Sequence, residues 1–339
     1  MSQYDLYAIG NALVDSEYEV SDAQLNALGV EKRHMTLIDA DRRAALLAGV
    51  QGQHARRTGG GSAGNTVVAL AQLGGKAYYA CRVADDELGA FYRDDLIANG
   101  VTSNLVDGLA ATGQTGTCMV LVTPDAERSM STYLGATSDL EDSALREAAI
   151  RSAKVYYMEG YLAAQTGGLA AALKGRAIAK AAGVQLASTL SDMSMINFCR
   201  AGLEAMVGGT EQGDLDYLFC NEEEAQVWCG STDLPTIIAK IAKLARVVCL
   251  TRSAKGCIVI EAGTQTEVPA AKVKAVDTNG AGDMFAGAFL YAVTQGHTHA
   301  QAAWLANQAA GQVVSRYGNR LNATEVAGVK AHYAQHLAA

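Results

Sequence analysis

Proline is nearly absent: three residues in a chain of 339 leave no Pro-rich linker between domains. A basic excess is also missing. With 27 Lys and Arg against 35 Asp and Glu, the net charge is −8 and the isoelectric point is near 5.3, so the basic face that a nucleic-acid partner would want is not available. An anionic ligand is not excluded, because a few local donors suffice for one. The seven cysteines include no C-x-x-C pair. Most lie in apolar runs such as "YYACRV", "VVCLTR" and "GCIVIE", where they read as small buried hydrophobes. The opening "MSQYDLYAIGN" lacks a charged n-region and a signal-type apolar core, which makes a reduced cytoplasm the expected setting. Charge disappears altogether from 284–315, a stretch longer than a bilayer span with no Asp, Glu, Lys or Arg. It nevertheless carries Gln295, His297, His299, Gln301, Asn307, Gln308 and Gln312, so two buried helices broken at "TQGHTHA" are expected rather than a membrane segment. No P-loop is present, since Lys76 is followed by Ala77.

What the chain does have is apolar residues at half of all positions, enough for a large core. Short apolar runs ("YDLYAIG", "KAYYACRV", "KVYYMEGYL", "GVQLASTL", "LDYLFCN", "RVVCLTRS") alternate with Ala- and Leu-rich stretches of helical length. That alternation predicts an α/β fold: a mostly parallel sheet with helices on both faces, in one unit spanning 1–339. Two segments break the pattern, at about 14–39 and 112–135. Both read as extended, partly polar strands with turns, and a small side sheet over one end of the main sheet is expected from them. Ligands of open parallel sheets bind outside the carboxyl ends of the strands. Asn11, Glu159, Asn221 and Thr251 follow or end such strands.

The stretch "TGGGSAGNTV" (58–67) fits three patterns at once. Gly59, Gly61 and Gly64 match G-x-G-x-x-G; Gly60, Ser62 and Gly64 match the serine elbow G-x-S-x-G; Gly60, Gly61 and Asn65 match a glycine pair that cradles a hydroxylated substrate. The first two patterns need a hydrophobic strand just before the glycines. Here "QGQHARRT" precedes them, and no buried strand can be made of it. On the other side, "NTVVALAQLGG" reads as an amphipathic helix stopped by glycines.

Two hundred residues on, "VDTNGAGDMFAGA" (276–288) supplies the deciding neighbour. A strand-like "KVKAV" leads to Asp277, and Gly280, Ala281 and Gly282 open a helix. The first amides of a helix lack intrahelical acceptors, and with the dipole they form an anion hole that small residues leave open to a phosphoryl group. Asp283, in the first turn, stands beside it as a candidate base.

At this point the chain resembles the ribokinase-like (PfkB) carbohydrate and nucleoside kinases. The resemblance rests on "GGGSAGNTVVALAQLGG" and "DTNGAGDMFAGAFLYA" in that order. "TGTCMVLVTPDAERSMSTYLGA", "YMEGYL" and "CNEEEA" are most similar to the adenosine-kinase branch. The resemblance implies a ribokinase-like fold with a small β lid, ATP and Mg²⁺ as co-substrate and cofactor, and Asp283 as catalytic base above the Gly280–Gly282 hole. It also implies that Asn221 and Glu224 (N-x-x-E) organise Mg²⁺ through water, and that Asp15, Gly60, Gly61 and Asn65 hold sugar hydroxyls. Met119, Tyr133 and Leu134 become candidate walls of a base slot, and Asn307 a contact to the nucleotide base. Thr251 and Gly256 belong to the nucleotide-side turn, in which Ser253 replaces the glycine of T-x-G-x-x-G. Asp277 is a candidate for a monovalent-cation (K⁺) site.

The expected activity is γ-phosphoryl transfer to a primary hydroxyl, foremost the 5′-OH of a purine ribonucleoside such as adenosine. A sugar kinase of the same family (ribose or fructose) is the alternative, and a nicotinamide-dependent oxidoreductase the distant one. The partners expected are a small-molecule nucleoside or sugar, with no nucleic acid and no membrane, for a monomer or homodimer.

Overall fold

The computed structural model describes residues 3–32, 35–53, 56–125, 127–209 and 211–338. Nine strands form the large sheet: β1 (Tyr4–Ile9), β5 (Ala77–Ala80), β6 (Thr102–Ser103), β9 (Ala153–Met158), β10 (Gln185–Thr189), β11 (Leu215–Asn221), β12 (Ala245–Thr251), β13 (Cys257–Glu261) and β14 (Thr264–Val268). Their order is β14-β13-β12-β11-β10-β9-β1-β5-β6, and only β13 is reversed, pairing antiparallel with β12 and β14. The continuous apolar runs are explained by the two covered faces. Leu6, Tyr79, Tyr157, Phe219 and Cys249 point into one buried cluster, and their neighbours Tyr7, Tyr78, Tyr156, Cys220 and Leu250 into the other. All seven cysteines are free, and six are buried.

Five strands make the second sheet: β2 (Leu13–Glu19), β3 (Met35–Leu37), β4 (Arg56–Gly60), β7 (Gly116–Val122) and β8 (Arg128–Tyr133), in the order β3-β8-β7-β2-β4. The two irregular segments supply four of these strands. Part of the first folds differently from the sequence expectation, because Asp22–Ala27 is a helix begun by a capping box at Ser21 and Gln24. Strand β4 is a second difference. "RRTGG" is too polar for a buried strand, yet it pairs antiparallel with β2 as an exposed edge. "KVKAV" is a third: 272–276 forms no strand. The chain there runs along the end of a helix, where Val276 N–H donates to Val314 O (2.7 Å).

Five helices matter for the site: α1 (Ser62–Leu73), α2 (Glu87–Ala98), α3 (Glu222–Cys229), α4 (Ala281–Thr294) and α5 (His299–Val314). The last two are the uncharged stretch, broken as expected at its "TQGHT" turn. Among the described residues no helix is long and apolar enough to cross a membrane. Helix α4 is locked to the sheet by Phe289 packed edge-on to Phe219 (5.6 Å between centroids) and Tyr217 (6.0 Å). It also lies against α1, because a Cβ at Gly287 would come within 2.4 Å of Thr66 O. That close approach sets the first turns of α1 and α4 side by side.

Candidate active site

The strand order reverses at β1, which has β9 on one side and β5 on the other. Ligands of open sheets bind in the crevice at such a point. Here Asn11 follows β1 and Glu159 follows β9, both buried. Glu159 accepts from Ala63 N–H (2.8 Å) and Asn11 N–H (3.3 Å), tying the start of α1 to the β1–β2 turn. Gly61, the N-cap of α1, has φ 85°, and a Cβ there would come within 2.0 Å of Asn11 O. Only glycine fits. Gly60 ends β4, and its carbonyl accepts from Tyr92 O–H (2.8 Å).

Helix α4 begins at Gly280, in the left-handed region (φ 75°), with no side chain capping its first turn. By contrast, α3 and α5 both start with full capping boxes. Of the expected anion-hole amides, that of Ala281 donates at 3.3 Å to Thr278 O in a tight turn. Gly282 is exposed, and a Cβ there would meet nothing within 4 Å. Asp283 is held from α1 by Ser62 O–H (2.6 Å to Oδ1) and Asn65 Nδ2–H (3.0 Å to Oδ2). Burial raises its pKa, only partly offset by those bonds.

Asp15, on β2, accepts from Asn319 Nδ2–H (2.9 Å). Its pKa is pushed up to about 7 by burial, with the charge of Asp283 adding to the rise. One carboxylate thus comes from the small sheet and the other from the first turn of α4. Glu159 and Glu224 are also raised to about 7, chiefly by burial. All three groups bind in the folded chain a proton that the unfolded chain releases near pH 4, so their contribution to stability falls as pH rises from about 4 to about 7. The ligand-free protein is therefore expected to melt at a higher temperature at pH 6 than at pH 8. A higher midpoint at pH 8 would contradict these ionisations.

Register corrects two of the candidate wall residues. Asp15 pairs with Cys118 and Thr58, and Cys118 pairs with Thr132. Side chains alternate along a strand, so Leu13, Cys118, Val120, Met130 and Thr132 share the face of Asp15. Met119 and Tyr133 lie on the other face. Met119 packs with Tyr18, Leu25 and Leu46, and Tyr133 carries the Arg43 guanidinium over its ring. Leu134 follows β8, half-buried.

A second group gathers at the ends of β11 and β12, where Asn221 and Thr251 are partners in register. Asn221 and Glu224 form the capping box of α3. Asn221 N–H donates to Glu224 Oε2 (3.1 Å), Asn221 Nδ2–H to Glu224 Oε1 (2.5 Å) and Glu224 N–H to Asn221 Oδ1 (2.8 Å). The N-x-x-E spacing is thus a helix cap first. The negative charges of Asp192 and Glu223 also bear on Glu224. That surplus fits a hydrated divalent cation, reached through water because both carboxylate oxygens are already bonded. Ser253 sits at φ 50°, the conformation a glycine would adopt freely, and Gly256 (φ 87°) closes the same turn. Asn307 donates to Val268 O (3.0 Å) and Pro269 O (3.1 Å), so its amide is used inside the fold.

Asp277 does not fit a monovalent ion. Its carboxylate already accepts from Asn279 N–H (3.1 Å) and Gly318 N–H (3.0 Å), and Arg128 Nη1 lies 3.0 Å away. A guanidinium occupies the place a cation would take. Arg128 comes from β8 and also holds Glu17 (2.9 Å), so it bridges the small sheet to the approach to α4. Asn319 and Arg128 carry no signal of their own in the sequence, and Ser62 enters only as the serine of the elbow pattern. Asn319 reaches Asp15 across 304 residues, which no local pattern reveals. Ser62 was legible within the glycine stretch.

Comparison with known proteins supplies the family and the fold. The model of the pfkB family of carbohydrate kinases matches residues 34–325. An adenosine kinase of Schizophyllum commune is 31% identical over 87% of this chain and 90% of its own length. The crystal structure of an adenosine kinase from Sinorhizobium meliloti superposes with a TM-score of 0.87 at 35% identity, covering 98% of this chain and all of that one. A probable sugar kinase from Rhizobium etli CFN 42 superposes equally well, with a TM-score of 0.88 at 34% identity and the same coverage.

Proposed function

From a chain that belongs to the pfkB family of carbohydrate kinases, we propose an ATP-dependent transfer of the γ-phosphoryl group to the 5′-OH of a purine ribonucleoside, adenosine foremost. The observation that carries this reading is the pair of half-buried carboxylates, Asp283 in the first turn of α4 and Asp15 on the small sheet. The acceptor oxygen attacks the γ-phosphorus as the bond to the β-phosphate oxygen breaks, ADP leaves, and the hydroxyl proton passes to Asp283. Burial raises the pKa of Asp283, which makes it a stronger base than a free carboxylate. The Gly282 amide and the first turn of α4 stabilise charge on the transferring group. Mg²⁺, when bound, neutralises phosphate charge, and Asn221 and Glu224 would hold it through water. Asp15 accepts from the ribose hydroxyls. We read the small sheet as a cover over the acceptor, tied to the segments before α4 and after α5 through Arg128–Asp277 and Asn319–Asp15.

The choice of acceptor rests on what lies beyond the sugar. Leu13, Cys118, Val120 and Met130 share the Asp15 face and offer apolar contact to a base. Phosphorylation of a free sugar is the second reading, supported by the likeness to the Rhizobium etli protein. Values of kcat/KM with ATP and Mg²⁺ for adenosine, inosine, guanosine, ribose and fructose separate the two. The nucleoside is expected to lead by a factor of roughly 10² or more, the worth of a filled slot. A sugar equal to the best nucleoside would overturn the acceptor and leave the chemistry standing.

A further inference from the structure

We propose that Arg320 is a positioning residue of the reaction, orienting the amide of Asn65 so that its N–H is presented to Asp283. The inference rests on the reading of Asp283 as the base. Arg320 follows α5 and is nine-tenths buried. Its Nε–H donates to Asn65 Oδ1 (3.0 Å), while Nη1 pairs with Asp95 of α2. Its Nη2 is buried without a hydrogen-bond partner.

A guanidinium has donors and no acceptor, so only the carbonyl end of the asparagine amide can face it. The amide end is then turned toward Asp283 Oδ2, where it donates at 3.0 Å. A flipped amide would set its oxygen against the carboxylate and loosen the base. Asp95 clamps the guanidinium from the far side, and two bonds in a rigid fork give the arginine one orientation. Its charge also acts on both carboxylates of the site, favouring the ionised forms of Asp15 and Asp283. The other titratable groups facing Asp283 are Asp15, Tyr157, Glu159 and Tyr161. Arg320 is the cation among these groups.

The test uses Arg320→Gln, Arg320→Lys and Asp95→Asn, with Asp283→Asn as reference, in pH profiles of kcat with ATP, Mg²⁺ and the best acceptor. Arg320→Gln is expected to lower kcat about 10–10²-fold, the cost of a small misplacement at the reacting centre. Its acceptor KM should stay within about threefold. Removing the positive charge raises the pKa of Asp283, so the acid limb of kcat should move to higher pH. Arg320→Lys keeps the charge but cannot span Asp95 and Asn65 together, so its limb should stay in place while kcat drops. Asp95→Asn leaves the guanidinium in reach of Asn65 and should lose thermal stability without an upward shift of the limb. An unmoved limb in Arg320→Gln, or wild-type kcat in Arg320→Lys, overturns the proposal. Near-normal turnover in Asp283→Asn overturns instead the reading of the base, and the two failures are thereby told apart.

Discussion

Asp283→Asn is expected to lower kcat by about 10²–10⁴-fold, the usual worth of a general base, while ATP still binds. The substitution is nearly isosteric. Ser62 can still donate to the new side-chain oxygen, so the first turn of α4 should keep its place against α1. What is lost is a group able to take the acceptor's proton. One new cost arises because the introduced side-chain amide would meet the amide of Asn65, donor against donor. Protection by ATP against thermal unfolding checks that the nucleotide side is intact. Correct folding, normal protection and near-normal turnover together would remove Asp283 from the reaction.

Asp15→Ala is expected to act on the acceptor alone. A hydrogen bond to a charged group contributes about 1.5–3 kcal/mol. Two bonds to a vicinal diol would then amount to roughly 4 kcal/mol, so kcat/KM for the acceptor should fall about 10³-fold. The dissociation constant of ATP should hardly change, since Asp15 lies on the small sheet, away from the ends of β11 and β12. The wild-type pH profile offers a second check. Asp15 takes up a proton near pH 7 and then accepts fewer bonds, so kcat/KM should decline as pH falls through that value. A change of only a fewfold in Asp15→Ala would move the sugar hydroxyls to another part of the cleft.

The covered parallel sheet was legible because its strands are apolar at nearly every position, and the uncharged helices because their turn carries polar and glycine residues. The start of α4 was legible for a related reason: Gly280, Ala281 and Gly282 leave backbone exposed where larger residues would cover it. Met119 and Tyr133 were misplaced because the face of a strand depends on register with its neighbour. Counting by twos from Asp15 cannot cross from β2 to β7 until Asp15 is known to pair with Cys118. The strand "RRTGG" was missed because an edge that gains its stability from pairing with β2 needs no apolar alternation. In "KVKAV" the alternation was present, but no neighbouring strand pairs with it, and it lies along the end of α5 instead. Asn319, Arg320 and Arg128 act on residues far away in the chain. Their significance comes only from the fold that brings 15, 65, 277 and 283 together.

The central claim, transfer of phosphoryl from ATP to a nucleoside hydroxyl, is tested most directly by ³¹P NMR of the protein with Mg²⁺, ATP and adenosine. The account predicts that the γ-phosphate signal is replaced, one for one, by a 5′-phosphomonoester and ADP, with no inorganic phosphate beyond a trace. ATP left intact, or ADP appearing with inorganic phosphate in place of the ester, would contradict it.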